Sequence, residues 1–95
     1  MNIDKQSAAE FHIGNNTVGT TAQKMTTLSF PVYNRVRVKA AAGNAGVIYV
    51  GLANVSSAEC YPLAAGEEVP IEIDATDKIW VRASEAAQGY KWVSV

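Results

Sequence analysis

Few residues in this 95-residue chain could do chemistry, and their spacing argues against most of it. His12 and Cys60 are single copies of their types. His12 with Ser7, or Cys60 with His12 and Asp77, can be written as nucleophile, base and acid. Neither set has a local signature such as a nucleophile elbow. One cysteine excludes an intrachain disulfide and a cysteine-based zinc site, and one histidine excludes multi-histidine metal centres. Glu67, Glu68, Glu72, Asp74 and Asp77 place five carboxylates within 11 residues. A calcium loop of the EF-hand type needs ligands at alternate positions around a central glycine, a spacing this segment lacks. Gly43, Gly46 and Gly51 precede neither a Lys-Ser/Thr pair nor a helix start, so they do not cradle a phosphate. The expectation is a protein without catalytic residues, bound metal or cofactor.

The remaining candidates are surfaces. Arg35, Arg37 and Lys39 alternate with Val36, Val38 and Ala40, which lines up three cations on the outer face of a half-buried strand. Glu72 and Asp74 occupy the solvent face of a strand that buries Ile71 and Ile73. Two stripes of opposite sign can meet across a strand pair within one domain, or across two subunits. Ile79 and Val81 take one face of their strand, so Trp80 points to the other, beside Arg82. An outward tryptophan implies a second covering layer, a subunit interface or a ligand platform. Tyr33, Tyr49, Tyr61, Tyr90 and Trp92 could add to an aromatic platform for sugars. Phe11 and Ile13 are spaced to point the same way on an N-terminal arm. The candidate assembly surface is thus Phe11, Ile13, Arg35, Arg37, Lys39, Trp80 and Arg82.

The elements that position these residues are short strands. Val47-Ile48-Tyr49-Val50 is apolar throughout and suits a strand covered on both faces. Val69–Asp74 alternates, and Pro70 within it must turn its missing N–H to an edge or a bulge. Lys78–Arg82 and Tyr90–Val95 complete the set, with Thr26–Phe30 a weaker candidate. Ala42–Gly46, Ala64–Glu67, Asp74–Asp77 and Ser84–Gly89 supply turns between them. This rhythm predicts an all-β chain: an antiparallel β-sandwich or small barrel of six to eight short strands with an N-terminal arm. The division is an arm or first strand over 1–25 and a β-domain over 26–95.

Composition narrows the partners. Eight basic and nine acidic residues give a net charge of −1, so no polycation points to nucleic acid. No apolar run reaches a membrane span, and Met1–Glu10 lacks the charged start and apolar stretch of a signal peptide. Alanine supplies 15 of the apolar residues, against 11 valines and 6 isoleucines, so the core is thin. A folded monomer of this size exposes roughly 5,300 Å². Leftover apolar surface would suit a building block.

Residues Val36–Val95 resemble the small β-domains of tailed-bacteriophage virion proteins, of head decoration, head-fibre and minor capsid type. The resemblance runs through Gly46-Val-Ile-Tyr-Val-Gly51, Tyr61-Pro-Leu-Ala-Ala-Gly-Glu-Glu-Val-Pro-Ile-Glu-Ile-Asp74, Lys78-Ile-Trp-Val-Arg-Ala83 and the aromatic end from Tyr90. It implies a structural module of the virion, most simply a decoration or cement protein that stabilises a phage head by bridging capsomers. The implied partners are the major capsid protein and further copies of the chain as a homotrimer. The implied location is the capsid surface, after assembly in the host cytoplasm. A host-recognition or glycan-binding module of a tail or fibre is the alternative, and a small hydrolase built on His12 and Cys60 a third.

Overall fold

A computed structural model describes residues 12–56 and 60–95 of the chain. They form eight strands: β1 His12–Val18, β2 Gln23–Lys24, β3 Val36–Ala40, β4 Ile48–Gly51, β5 Tyr61–Leu63, β6 Glu68–Ile71, β7 Trp80–Ala83 and β8 Gln88–Ser94. One turn of 3-10 helix, Thr76–Lys78, precedes β7. The strands make two four-stranded sheets, in the orders β1-β8-β3-β6 and β2-β7-β4-β5, and every pairing is antiparallel.

The pairing is nested. β1 pairs with β8, β2 with β7, β3 with β6 and β4 with β5. The chain therefore runs as one long antiparallel ribbon turned back at the β4–β5 loop. Rolling that ribbon adds the pairs β3–β8 and β4–β7. This is the eight-stranded jelly roll, a two-sheet sandwich of double Greek-key connection.

Alternation decides what lies between the sheets. Val36, Val38 and Ala40 of β3 are fully buried while Arg37 and Lys39 are exposed. β7 buries Val81 and Ala83, and β8 buries Tyr90, Trp92 and Ser94. Ile48, Val50, Leu63, Met25 and Ile79 close the core from the second sheet and its flanks. The β4 segment departs from the reading of a strand covered on both faces. Ile48 and Val50 are buried, but Tyr49 is only half-buried, since no third layer lies outside that sheet. Trp92 lies so close to β1 that a Cβ at Gly14 would come within 2.7 Å of its Cζ2. Only glycine admits the indole there. Total accessible surface is 5564 Å², close to the size expectation.

The first strand and β2 lie within 12–25, so this part of the N-terminal quarter is an integral piece of both sheets. Phe11 and the rest of 1–11 lie outside the described residues. Thr26–Phe30 forms no strand. Its main chain is held by Thr76 instead, a wholly buried residue. The Thr76 hydroxyl donates to Leu28 O at 2.7 Å and accepts from Phe30 N–H at 2.9 Å. Asn44 performs a similar service at the other connections: its amide donates to Gly89 O and accepts from Gly89 N–H, both at 2.8 Å. Gln88 Oε1 accepts from Gly46 N–H at 2.8 Å. The β3–β4 and β7–β8 connections are thereby tied together by side chains that imitate a strand.

Two expectations follow for stability. Thr76→Val keeps the shape but leaves the part-buried Leu28 carbonyl and Phe30 N–H without their partner, and should cost about 1–2 kcal/mol in urea denaturation. Ala87 sits at φ 59° in the β7–β8 turn, the region where a Cβ is crowded. Ala87→Gly should raise stability by about 0.5–1 kcal/mol, after the greater entropy that glycine loses on folding. A lowered melting temperature would contradict the strain argument.

Candidate functional site

The sandwich offers two outer faces and two open sides where the sheet edges meet. The outer face of the first sheet carries two rows. Ile13, Val93, Arg37 and Pro70 stand side by side in one, and Asn15, Lys91, Lys39 and Glu68 in the next. Arg37 reaches Glu68 diagonally at 3.5 Å, with both side chains about half exposed. Across the β3–β6 pair the cation is thus met by Glu68, not by the expected stripe of Glu72 and Asp74. An exposed pair of this kind contributes about 0.2–1 kcal/mol.

The rest of the acidic segment is also engaged locally. Glu67 Oε1 accepts from Ala64 N–H at 2.8 Å and closes the turn around Gly66. Asp74 pairs with Lys78 at 2.7 Å. That hydrogen bond and charge hold the Asp74 carboxyl below its ordinary range and push Lys78 up. Among the described residues, no three His, Cys, Asp or Glu side chains converge where a metal ion could be held.

The outer face of the second sheet carries Trp80 and Arg82, both half-buried, as the alternation of β7 requires. Arg82 lies opposite Tyr49, which in turn lies opposite Pro62. Trp80 stands between Lys24 and Gly51, so the directly opposite position on its β4 side carries no side chain. Arg82 Nε is buried and has no hydrogen-bond partner among the described residues. Because β3 and β7 belong to different sheets, Ile13, Arg35, Arg37 and Lys39 lie on one side of the molecule and Trp80 and Arg82 on the other. The residues read from the sequence as one assembly surface are two.

The open sides differ in chemistry. Between β1 and β2 lies a cleft of about 560 Å³ of mixed polarity, lined by Asn15, Asn16, Gln23 and Lys24 together with Met25 and Trp92. His12 sits at its rim, stacked on Phe30 with ring centroids 3.8 Å apart and planes 8° from parallel. Between β5 and β6 lies an apolar groove of about 510 Å³, lined by Leu52, Tyr61, Pro70, Ile71 and Ile73. Leu52 and Tyr61 are 61% and 57% exposed. Sequence reading missed Leu52, which follows β4 with no periodic neighbour to mark its direction.

The hydrolytic set does not assemble. His12 is on the β1 edge, while half-buried Cys60 leads into β5 at the opposite edge of the other sheet. Three strand spacings, about 14 Å, separate those sides. Ser7 lies outside the described residues. No helix among the described residues is long and apolar enough to cross a membrane.

Fold and surfaces define a small antiparallel β-sandwich of jelly-roll topology whose candidate sites are faces and edges. Protein-family models, curated proteins and solved structures contain no match to the chain. The resemblance to virion β-domains therefore rests on strand and turn patterning in the sequence.

One buried polar group has a pH signature. Tyr90 is 1% exposed, and its hydroxyl donates to Met25 O at 2.8 Å. Burial pushes its phenol above the ordinary value, against a smaller opposing effect of Gln23 and Asn16. The stability this represents is whole below about pH 10 and lost as pH rises through the folded-state value. Tyr90→Phe should cost about 1–2 kcal/mol near neutrality, through the lost hydrogen bond. It should then lose less stability than the wild type between pH 8 and pH 11. Equal alkaline losses in the two proteins, by urea midpoint, would refute the assignment.

Proposed function

We propose that the chain is a structural virion protein, a decoration protein that binds the outside of a tailed-phage head and bridges neighbouring capsomers. The observation that carries this reading is apolar surface left outside a complete core. Among the described residues, Ile13, Leu28, Tyr33, Leu52 and Tyr61 are each more than half exposed. Leu52 and Tyr61 border the apolar groove between β5 and β6, and it is a contiguous patch of this kind, not single exposed side chains, that favours contact with another protein. The eight-stranded jelly roll is used by viral shell proteins and by lectins, although a fold alone does not assign a function. The sequence resemblance favours the first of these. In this reading the β-sandwich supplies a rigid body, and the faces carrying Arg37 and Trp80 supply contact.

A second reading, a glycan-binding module of a tail or fibre, is favoured by one detail. Trp80 is half-buried on an outer face, and its cross-strand partner Gly51 has no side chain to compete with a sugar ring for the indole. Heads of the encoding phage that lack this protein distinguish the two. Added protein should co-sediment with them at a fixed stoichiometry and raise the temperature at which they rupture. Absence of saturable binding to heads, together with glycan-array binding that Trp80→Ala abolishes, would overturn decoration in favour of the lectin reading.

A further inference from the structure

The four sheet edges are not equally protected, and the difference singles out one of them. Arg35 and Val95 exchange both main-chain hydrogen bonds, at 3.2 and 2.9 Å, and Ala41 N–H donates to Gly89 O at 3.0 Å. Antiparallel bonding alternates, so odd-numbered residues of β8 bond to β3 and even-numbered ones to β1. The register then assigns His12, Gly14, Asn16 and Val18 to the bonds with β8. Ile13, Asn15 and Thr17 turn their N–H and C=O groups away from the sheet.

The same alternation identifies the outward residues of the other edges. On β6, Val69 and Ile71 face β3, because Ala40 N–H donates to Glu67 O at 2.9 Å and fixes the phase. Its outward position is Pro70, which has no N–H, flanked by Glu68 and Glu72. On β5, Ser84 N–H donating to Val47 O at 3.0 Å sets the phase of β4, and Pro62 falls outward. β2 is two residues long, with Lys24 outward. Proline, charge and shortness are the usual means by which sheets prevent strand addition. Three edges have them.

β1 does not. It is seven residues long and contains no proline and no charged residue. Among the described residues only its far end is covered: Thr17 N–H donates to Asn16 Oδ1 at 2.8 Å, and Gln23 Nε2 donates to Thr17 O at 3.3 Å. The main-chain groups of Ile13 and Asn15 have no partner among the described residues.

The geometry points to β1 as a dimerisation strand that pairs antiparallel with β1 of a second copy about a two-fold axis at Gly14. In that register Ile13 lies opposite Asn15 of the other copy, and each pair exchanges two N–H···O=C bonds. The register uses the two residues whose outward groups are open and leaves the capped Thr17 outside it. Gly14 meets Gly14 at a non-hydrogen-bonded site, where side chains approach most closely, and neither has one. An isologous contact sets a surface against itself, so charge of one sign would repel. β1 carries none. Ile13, 65% exposed, would gain cover from the added strand. The inward side chains of the second copy would stand over the β1–β2 cleft. The product is one sheet of eight strands across two chains, a two-fold pair in place of the trimer implied by the resemblance.

Sedimentation equilibrium at micromolar concentration tests this. Wild-type protein should show about twice the 10.1 kDa chain mass. Asn15→Pro removes an outward N–H without touching the β8 ladder and should halve the mass. Asn15→Ala keeps that N–H and should remain a dimer. Near-UV circular dichroism of the buried Trp92 reports whether Asn15→Pro folds. In wild-type protein the Ile13 and Asn15 amides should exchange more slowly as concentration rises, a readout that needs no variant. A monomeric wild type, an oligomer that folded Asn15→Pro leaves intact, or exchange independent of concentration would overturn the proposal.

Discussion

Strand β8 is the constraint on which the other elements depend. It is bonded on both sides, to β1 and to β3, and its inner face delivers Tyr90, Trp92 and Ser94 to the core. Those residues fix their neighbours in turn. Trp92 requires glycine at position 14 of β1, and Tyr90 holds the main chain at Met25, just past β2. Gly89 is clamped by Asn44 from the β3–β4 connection. One strand thus links both ends of the nested ribbon, so the last part of the chain is needed before the first can be placed. Such non-local pairing makes β-sandwiches slow to fold.

Charge is handled close to home. The acidic stretch that suggests a cation site is divided among a turn closed by Glu67, a cross-strand partner for Arg37, and a pair with Lys78 one helical turn away. Carboxylates spent on turns and cross-strand pairs do not converge. Arg37 on β3 is consequently met within the domain, and the outer face of the first sheet is a mixed surface of Ile13, Val93, Lys39, Lys91 and Glu68. A surface of that kind gives orientation and specificity more than affinity.

The sandwich was legible where one face of a strand is buried and the other wet, because only there does the side-chain period report direction. Val36, Val38 and Ala40 carry it plainly, and so does Trp80 between Ile79 and Val81. β2 and β5 have two and three residues, too short for any period. β1 is polar because half of it faces solvent and the other half lines a cleft, so its residues leave an arm and a first strand equally open. Thr26–Phe30 has strand-like composition, but the hydroxyl of Thr76, 46 residues from Phe30, satisfies its main chain and no strand does. The grouping of Ile13, Arg37 and Trp80 into one surface could not be judged locally. Alternation says that a residue points outward; only the pairing order says from which sheet.

Edges carry information that faces do not. Apolar residues are common on any protein surface and by themselves identify no partner. A main-chain N–H and C=O on an open strand are different: they are directional, sequence-independent and costly to bury unmet. Here the guarded edges are those bearing Pro62, Pro70 and Lys24, and each guard falls on an outward-facing position of its strand, where strand addition would begin. On the inward-facing positions those same residues would break the sheet or bury a charge. β1 has the same opportunity at Ile13 and Asn15 and uses neither. A polar strand with no charge, beside a cleft that its own side chains leave unfilled, is compatible with solubility of the single chain and with pairing to another. The thin core requires no such pairing to exist, since Tyr90, Trp92 and the β3 valines are buried within one chain. Association at β1 would therefore add to a domain that is already complete, and its consequences belong to assembly.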